Sequence, residues 1–357
     1  MWLVTGGAGY IGAHVVRALL ADGQRVAVVD DLSDGLAARV PDGVQLNIVS
    51  VLETAALAQV MTDLKVDGVV HLAAKKAAGD SVDEPVYYHQ QNTGGVISLL
   101  AAMESAGVRR LVYSSSAAVY GEPVDDRPLT EESRTAPTNP YGSSKLIGEM
   151  MIRDAAGALG LSWAALRYFN VAGCGADELS DTSANNLIPM LLRAHVAGRP
   201  GKIFGTDYPT PDGTCIRDYI HVVDLAEAHV AACRLVSGDP VGGVGSNRDH
   251  PDRTADPDHG AEPIPDHGAE PDQVGVILNI GTGQGSSVRE VINSVSRALG
   301  TPLAVEEAPR RPGDPSMVQA DPAQAAAVLG WRSRYTLDDM TSSAVSGLTW
   351  LSANGHL

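Results

Sequence analysis

Along the first part of the chain, short apolar runs alternate with longer stretches in which apolar residues recur at helical spacing. Residues 2–5 (WLVT), 25–30 (RVAVVD), 67–72 (DGVVHL) and 110–114 (RLVYS) have the length and apolarity of buried strands, and residues 163–167 and 276–280 repeat the type further on. Residues 11–20 and 146–159 carry helical patterns. Strands separated by helix-length segments build βαβ units. These stack into a parallel sheet with helices on both faces, because the crossovers share one hand. The class expected is α/β, with a doubly wound parallel sheet.

One segment breaks the pattern. Residues 237–275 are rich in Pro, Gly, Asp and His, hold nine acidic residues against two arginines, and contain PDHGAEP twice, from Pro257 and from Pro265. So little apolar surface cannot offset the entropy of ordering, which predicts a disordered acidic surface insertion. The alternative is a metal site from His250, His259 and His267, which needs ligands that converge.

Hydrophobic residues make up 44% of the 357, enough for one large domain and a smaller companion. A net charge of −17 offers no basic face to a nucleic acid. The chain opens directly into a strand, without a basic-then-apolar leader, and has no apolar run of about 18 residues. The three cysteines, Cys174, Cys215 and Cys233, have no metal-ligand spacing and no disulfide framework. A soluble cytoplasmic protein without a metal, binding neither nucleic acid nor membrane, is expected.

The first candidate chemistry is glycine-based. Gly6, Gly9 and Gly12 follow the first strand at G-x-x-G-x-x-G spacing, with Tyr10 and Ile11 between them, and open the first helix. Such a loop turns sharply, lets backbone approach a pyrophosphate and presents the free N–H groups of a helix start. Asp30 closes the second strand 18 residues after Gly12, with Asp31 beside it. A carboxylate there bonds ribose hydroxyls and repels a 2′-phosphate, which favours NAD over NADP. The expected architecture is a Rossmann domain over 1–172 and a smaller mixed α/β substrate-binding lobe over 173–357, partly interleaved with the first.

The second is Tyr141-Gly142-Ser143-Ser144-Lys145, after Pro140. Residues four apart share one helix face, so phenol and ammonium can point into one site. The positive charges of Lys145 and a nicotinamide are expected to pull the phenol down towards working pH, making a base for a hydroxyl proton. Ser114-Ser115-Ser116 lies upstream at the end of a predicted strand, where open α/β sheets place ligands. Ser116 is the candidate to bridge a sugar oxygen and the tyrosine, with Ser115 the near alternative.

These residues resemble the UDP-galactose 4-epimerase family of the extended short-chain dehydrogenase/reductase superfamily. The resemblance runs in order through GGAGYIG (6–12), SSSAAVYG (114–121), YGSSK (141–145), RYFN (167–170), NNLIP (185–189), residues 207–226, NIGTG (279–283) and APRRPGD (308–314). It implies inversion of C4 in UDP-glucose and UDP-galactose through a 4-keto sugar, with transient hydride transfer to bound NAD. It also implies a UDP-hexose partner and a homodimer built on helices near 85–106 and 140–159. Lys76, Asn92 and Tyr168 would contact the cofactor. Asn170, Asn186 and Tyr219 would meet the UDP-sugar, and Arg217 and Arg311 would clamp its diphosphate. Phe204 and Leu187 would line the uracil region, with Asp314 on the uridine ribose.

Two departures matter. Ser50 stands where the family usually has an aspartate near the adenine. Val318 is small where a bulky residue restricts the pocket to plain hexoses in some members, which admits N-acetylhexosamines. A nucleotide-sugar 4,6-dehydratase, a UDP-pentose or UDP-uronate epimerase and a non-catalytic NAD sensor are the competing readings. The first needs a Thr-Asp-Glu run where this chain has three serines, and the last has no use for Tyr141 and Lys145.

Overall fold

A computed structural model describes residues 1–183, 185–239, 273–311 and 314–356. Seven strands form one sheet: β1 (Trp2–Thr5), β2 (Val26–Val29), β3 (Gln45–Asn47), β4 (Gly68–His71), β5 (Arg110–Ser114), β6 (Ser162–Tyr168) and, much later in the chain, β10 (Gly275–Ile280). Their order is β10-β6-β5-β4-β1-β2-β3, and every pairing is parallel. β1, β2 and β4 are buried along their whole length, as strands covered on both faces must be.

Alternation of side chains splits the sheet into two cores. Trp2, Val4, Val28, Val70, Val112 and Leu166 face a cluster shared with the helices Tyr10–Ala21 and Val222–Ser237. Leu3, Val29, Val69, Leu111 and Ala165 face the other side, against the helices Thr54–Asp63, Gly94–Ala106 and Pro140–Leu159. The doubly wound parallel sheet expected from the pattern is the sheet observed.

A second, mixed assembly follows β6. β9 (Ile216–His221) is flanked by β7 (Asn170–Ala172), β11 (Gly285–Ser287) and β13 (Met317–Val318), with β11 antiparallel to it. β8 (Gly201–Phe204) pairs in parallel with β12 (Val305–Ala308). Ile188, Leu192, Ile203, Val291, Val295 and Met340 form its core. The chain then returns: β10 joins the edge of the large sheet beside β6, and Ala325, Leu329 and Trp331 pack into the first core.

The acidic segment begins and ends inside regular structure. The helix Val222–Ser237 is capped by Gly238 at φ 74°, and β10 starts at Gly275. Residues 240–272, with His250, His259 and His267, lie outside the described residues.

Three of the buried histidines bond across these elements. His14 Nδ1 lies 2.8 Å from the Tyr10 carbonyl, and its Nε2 accepts the Gly175 N–H at 2.8 Å. His71 bonds Thr5 at 2.8 Å, and His229 bonds Ser114 at 2.8 Å. Burial pushes His14 and His229 from 6.5 to about 4 and His71 to about 3. The unfolded chain therefore takes protons that the fold refuses. Their contribution is complete above the unfolded value of 6.5 and is lost as pH falls towards the folded values. Thermal melting across pH should show the midpoint dropping from about pH 6.5 to about pH 4, and His14→Gln should flatten part of that slope, each pKa unit being about 1.4 kcal/mol.

Candidate active site

β1 and β4 are neighbours in the sheet, yet their crossovers run to opposite sides, and ligands of such sheets sit at the carboxyl ends of the strands there. A cleft of about 590 Å³ opens at this point. Gly6, Gly9, Tyr10, Ile11 and Gly12 line one wall, Asp30 and Asp31 the far end, and Lys76, Tyr141, Lys145 and Tyr168 the other side. Gly6 adopts φ +72°, and a Cβ on Gly12 would sit 2.0 Å from the Gly6 carbonyl oxygen. The helix Tyr10–Ala21 starts at Gly9 without a side-chain cap, so its first-turn N–H groups stay open to an anion. Asp30 accepts from the Ala8 N–H at 3.0 Å and the Leu32 N–H at 2.9 Å, and so holds the glycine loop as well as facing the cleft. The cradle, the open helix start and the carboxylate at the end of β2 fit NAD.

Asn92 alone among the cofactor candidates stays out of the cleft lining. It sits in a π-helical turn, His89–Thr93, a distortion frequent at functional sites. Its amide oxygen accepts the Lys75 N–H at 2.8 Å, and its amide nitrogen donates to the Lys75 carbonyl and to Ser144 at 3.0 and 2.9 Å. Asn92 thus clamps the loop after β4, which carries Lys75 and Lys76, to the tyrosine helix. Lys76 faces Asp181 at 3.8 Å. Ser50 accepts the Leu52 N–H at 3.3 Å, while Val49 and Val51 form the apolar wall beside it.

Tyr141 and Lys145 share the buried face of Pro140–Leu159, whose start is capped by Asn139 accepting from Gly142. Lys145 donates to the Ser114 carbonyl at 2.8 Å, and burial pulls its ammonium down to about 7, with the Glu149 carboxylate opposing. Burial raises the Tyr141 phenol, and the Ser116 hydroxyl beside it pulls the other way. The lowering expected from Lys145 and a nicotinamide together concerns the cofactor-bound site; in the protein alone burial is the larger influence on the phenol, and the Lys145 ammonium bonds the Ser114 carbonyl. Ser116 lies next to Tyr141, whereas Ser115 donates to Glu149.

The substrate candidates gather around β7, β8 and β9. Asn170 and Tyr219 are register partners, as are Arg217 and Val318. Arg217 is ion-paired with Asp314, and the Arg311 guanidinium stacks 3.9 Å over Phe204. One of the two arginines assigned to the diphosphate is thus engaged by the carboxylate assigned to the ribose, the other by an aromatic face. Pro312 and Gly313, between Arg311 and Asp314, lie outside the described residues. Asn186 precedes the helix Leu187–Val196 and donates to Asp181 at 2.9 Å. Val318 packs against Val119, Tyr120, Phe169 and Ala320.

Sequence reasoning passed over Arg39, which lines the cleft and donates to the Ser180 carbonyl at 2.6 Å, and Glu149. Arg39 sits in a short 3₁₀ turn with no motif around it; Glu149 is four residues past Lys145, and the helical repeat could have flagged it. Among the described residues no His, Cys, Asp or Glu cluster is placed to hold a metal, and no helix is long and apolar enough to cross a membrane.

The glycine-cradled cleft of a doubly wound sheet defines a dinucleotide-binding protein. A family model described as the NAD dependent epimerase/dehydratase family matches residues 2–244, and the chain belongs to that family. It is 40% identical over 349 residues to a UDP-glucose 4-epimerase of Azospirillum brasilense, covering 96% of this chain and 90% of the relative. A crystal structure of the UDP-glucose 4-epimerase from Stenotrophomonas maltophila, with bound NAD and formylated UDP-arabinopyranose, superposes with a TM-score of 0.85 at 34% identity over 99% of both chains. The UDP-Glc/GlcNAc 4-epimerase from Campylobacter jejuni does so at 0.78 and 33% identity, over 98% of this chain and 99% of the other.

Two outcomes follow from this geometry. Gly12→Ala should purify with little NAD, measured by release and absorbance, and should melt lower by on the order of 1–3 kcal/mol because backbone must move. In protein stripped of cofactor, ultraviolet difference titration of wild type against Tyr141→Phe should reveal no Tyr141 phenolate below about pH 10.

Proposed function

We propose that the protein inverts C4 of UDP-glucose and UDP-galactose, using NAD as a resident cofactor. The observation that carries this is Tyr141 beside Ser116 on the wall of the NAD-fitting cleft, with Lys145 one turn along the same buried helix face. Gly6, Gly9, Tyr10, Ile11 and Gly12 would hold the pyrophosphate, Asp30 and Asp31 the adenosine ribose, and Lys145, Lys76 and Tyr168 the nicotinamide end. NAD supplies the hydride acceptor and donor. Ser116 bonds the C4 oxygen, and Tyr141 takes the C4 hydroxyl proton and later returns it to the opposite epimer. The 4-keto sugar turns in the pocket while its nucleotide stays anchored by Asn170, Asn186, Leu187, Phe204, Arg217, Tyr219, Arg311 and Asp314. Binding energy far from C4 thus holds the intermediate. In this reading residues 1–172 form the NAD-binding part and 173–357 the substrate part. For Arg217 to grip a diphosphate, Asp314 must give way to the ribose.

We read the protein as cytoplasmic from its free, buried cysteines, and as a homodimer. Val86, Ile97 and Met150 are 70%, 55% and 47% exposed on the helices Pro85–Tyr88, Gly94–Ala106 and Pro140–Leu159, and a second copy would cover them.

Purified protein incubated with UDP-galactose should form UDP-glucose without added NAD. Conversion that requires added NAD would keep the reaction and point to Ser50. No conversion under either condition would overturn the hexose assignment. Tyr141→Phe should lower kcat by about a hundredfold or more with NAD still bound. Val318 supports a second activity: UDP-GlcNAc and UDP-GalNAc should interconvert, and absence of turnover on both would contradict it.

A further inference from the structure

The buried side of the tyrosine helix carries a third charged group that the reaction above does not use. Glu149 lies eight residues after Tyr141 and four after Lys145, so the three share one face. Its side chain is 3% exposed and that of Arg167, on β6, is 4%. Arg167 grips both carboxylate oxygens, Nε to Oε1 at 2.9 Å and Nη2 to Oε2 at 2.6 Å, a bidentate fork. Ser115 donates to Oε1 of the same carboxylate. On its far side Arg167 donates to the Tyr120 hydroxyl at 3.1 Å, and that hydroxyl donates to Asn279 at 2.6 Å.

A buried ion pair is a poor stabiliser, since apolar residues of the same volume do as well or better. What this one does is geometric. It joins the serine loop after β5, the catalytic helix, β6 and β10 at one point. We infer that Glu149 is a positioning residue for the tyrosine–lysine site: its carboxylate, aimed by Arg167, fixes Ser115 and with it the neighbouring Ser116, and supplies the anion that faces Lys145 from the same helix.

Among the described residues, Glu149 is the carboxylate that acts on Lys145. β5 contributes the Ser114 carbonyl at 2.8 Å and the Tyr113 ring at 5.1 Å, both uncharged. β4 contributes His71, stacked on Tyr113 and kept neutral by burial. The helix itself contributes the Tyr141 phenol and Glu149. Burial lowers Lys145, and Glu149 is the charge that raises it. Loss of that charge moves deprotonation of Lys145 to lower pH, and activity is lost from the alkaline side inward.

The test uses the whole protein with its cofactor. Glu149→Gln/Arg167→Met removes both charges and leaves no unpaired ion. Ser115→Ala cuts the serine arm and leaves the ion pair intact. Lys145 is titrated from the Cε resonance of isotope-labelled lysine, which needs no substrate, and kcat and KM for UDP-galactose are followed across pH. In the double variant the Lys145 titration and the alkaline limb of kcat should both move down by about one unit or more, with kcat lower by about tenfold at pH 8 and KM within about twofold. Ser115→Ala should lower kcat several-fold and leave the titration in place. A double variant with a wild-type titration and pH profile would overturn the inference, as would Ser115→Ala with wild-type kcat. If the double variant does not fold, Ser115→Ala decides alone. Since the turnover readout rests on the proposed function, wild-type protein inert on every UDP-sugar would sink that function and leave the lysine titration to decide here.

Discussion

A lysine ammonium buried to 2% exposure is the constraint around which this structure is arranged. Lys145 has traded water for one carbonyl, that of Ser114 at the end of β5, and for a carboxylate one helical turn away. That trade requires the helix Pro140–Leu159 to lie against the carboxyl end of β5, the side of the sheet on which open α/β sheets place their ligands. It leaves Lys145 near 7 and the Tyr141 phenol raised, both on the lining of the cleft. In the proposed reaction the positive charge of the cofactor would add to that of Lys145 in favouring the phenolate.

The segment after β7 is registered to this centre through the first helix and the 3₁₀ turn that carries Arg39. The Tyr10 hydroxyl donates to the Gly173 carbonyl at 2.5 Å, His14 accepts from Gly175, and Arg39 reaches the Ser180 carbonyl. Asp181 then faces Lys76 and receives the Asn186 amide. The segment that begins where β7 ends is thus pinned to the glycine loop before it reaches the side chains proposed to hold the nucleotide. Pinning of this kind fixes the distance between two binding regions whose ligands must meet within hydride-transfer range.

Much of the large sheet was legible because its strands are buried on both faces and read as unbroken apolar runs. Residues 2–5 and 110–114 were bounded as observed, and the other runs differ by one residue at one or both ends. The smaller assembly was not: β7, β11 and β13 are two or three residues long, carry polar positions such as Asn170 and Ser286, and exist through pairing with β9 rather than local preference. At the site, glycine spacing and the Tyr141/Lys145 pair announced the cleft. The charge balance inside it did not follow from spacing, because desolvation depends on what covers a residue, and no sequence pattern reports that. Asn92 shows the same limit: the resemblance implies a cofactor contact for it, while its three hydrogen bonds go to Lys75 and Ser144.

The most direct test of the account is the fate of the C4 hydrogen. UDP-galactose deuterated at C4 should give UDP-glucose with the deuterium still on C4, no isotope washed into water and no net change in NAD. Loss of the label to solvent, or its recovery on free cofactor, would contradict a centre in which Tyr141 moves the hydroxyl proton while the carbon-bound hydrogen leaves and returns within one closed cleft.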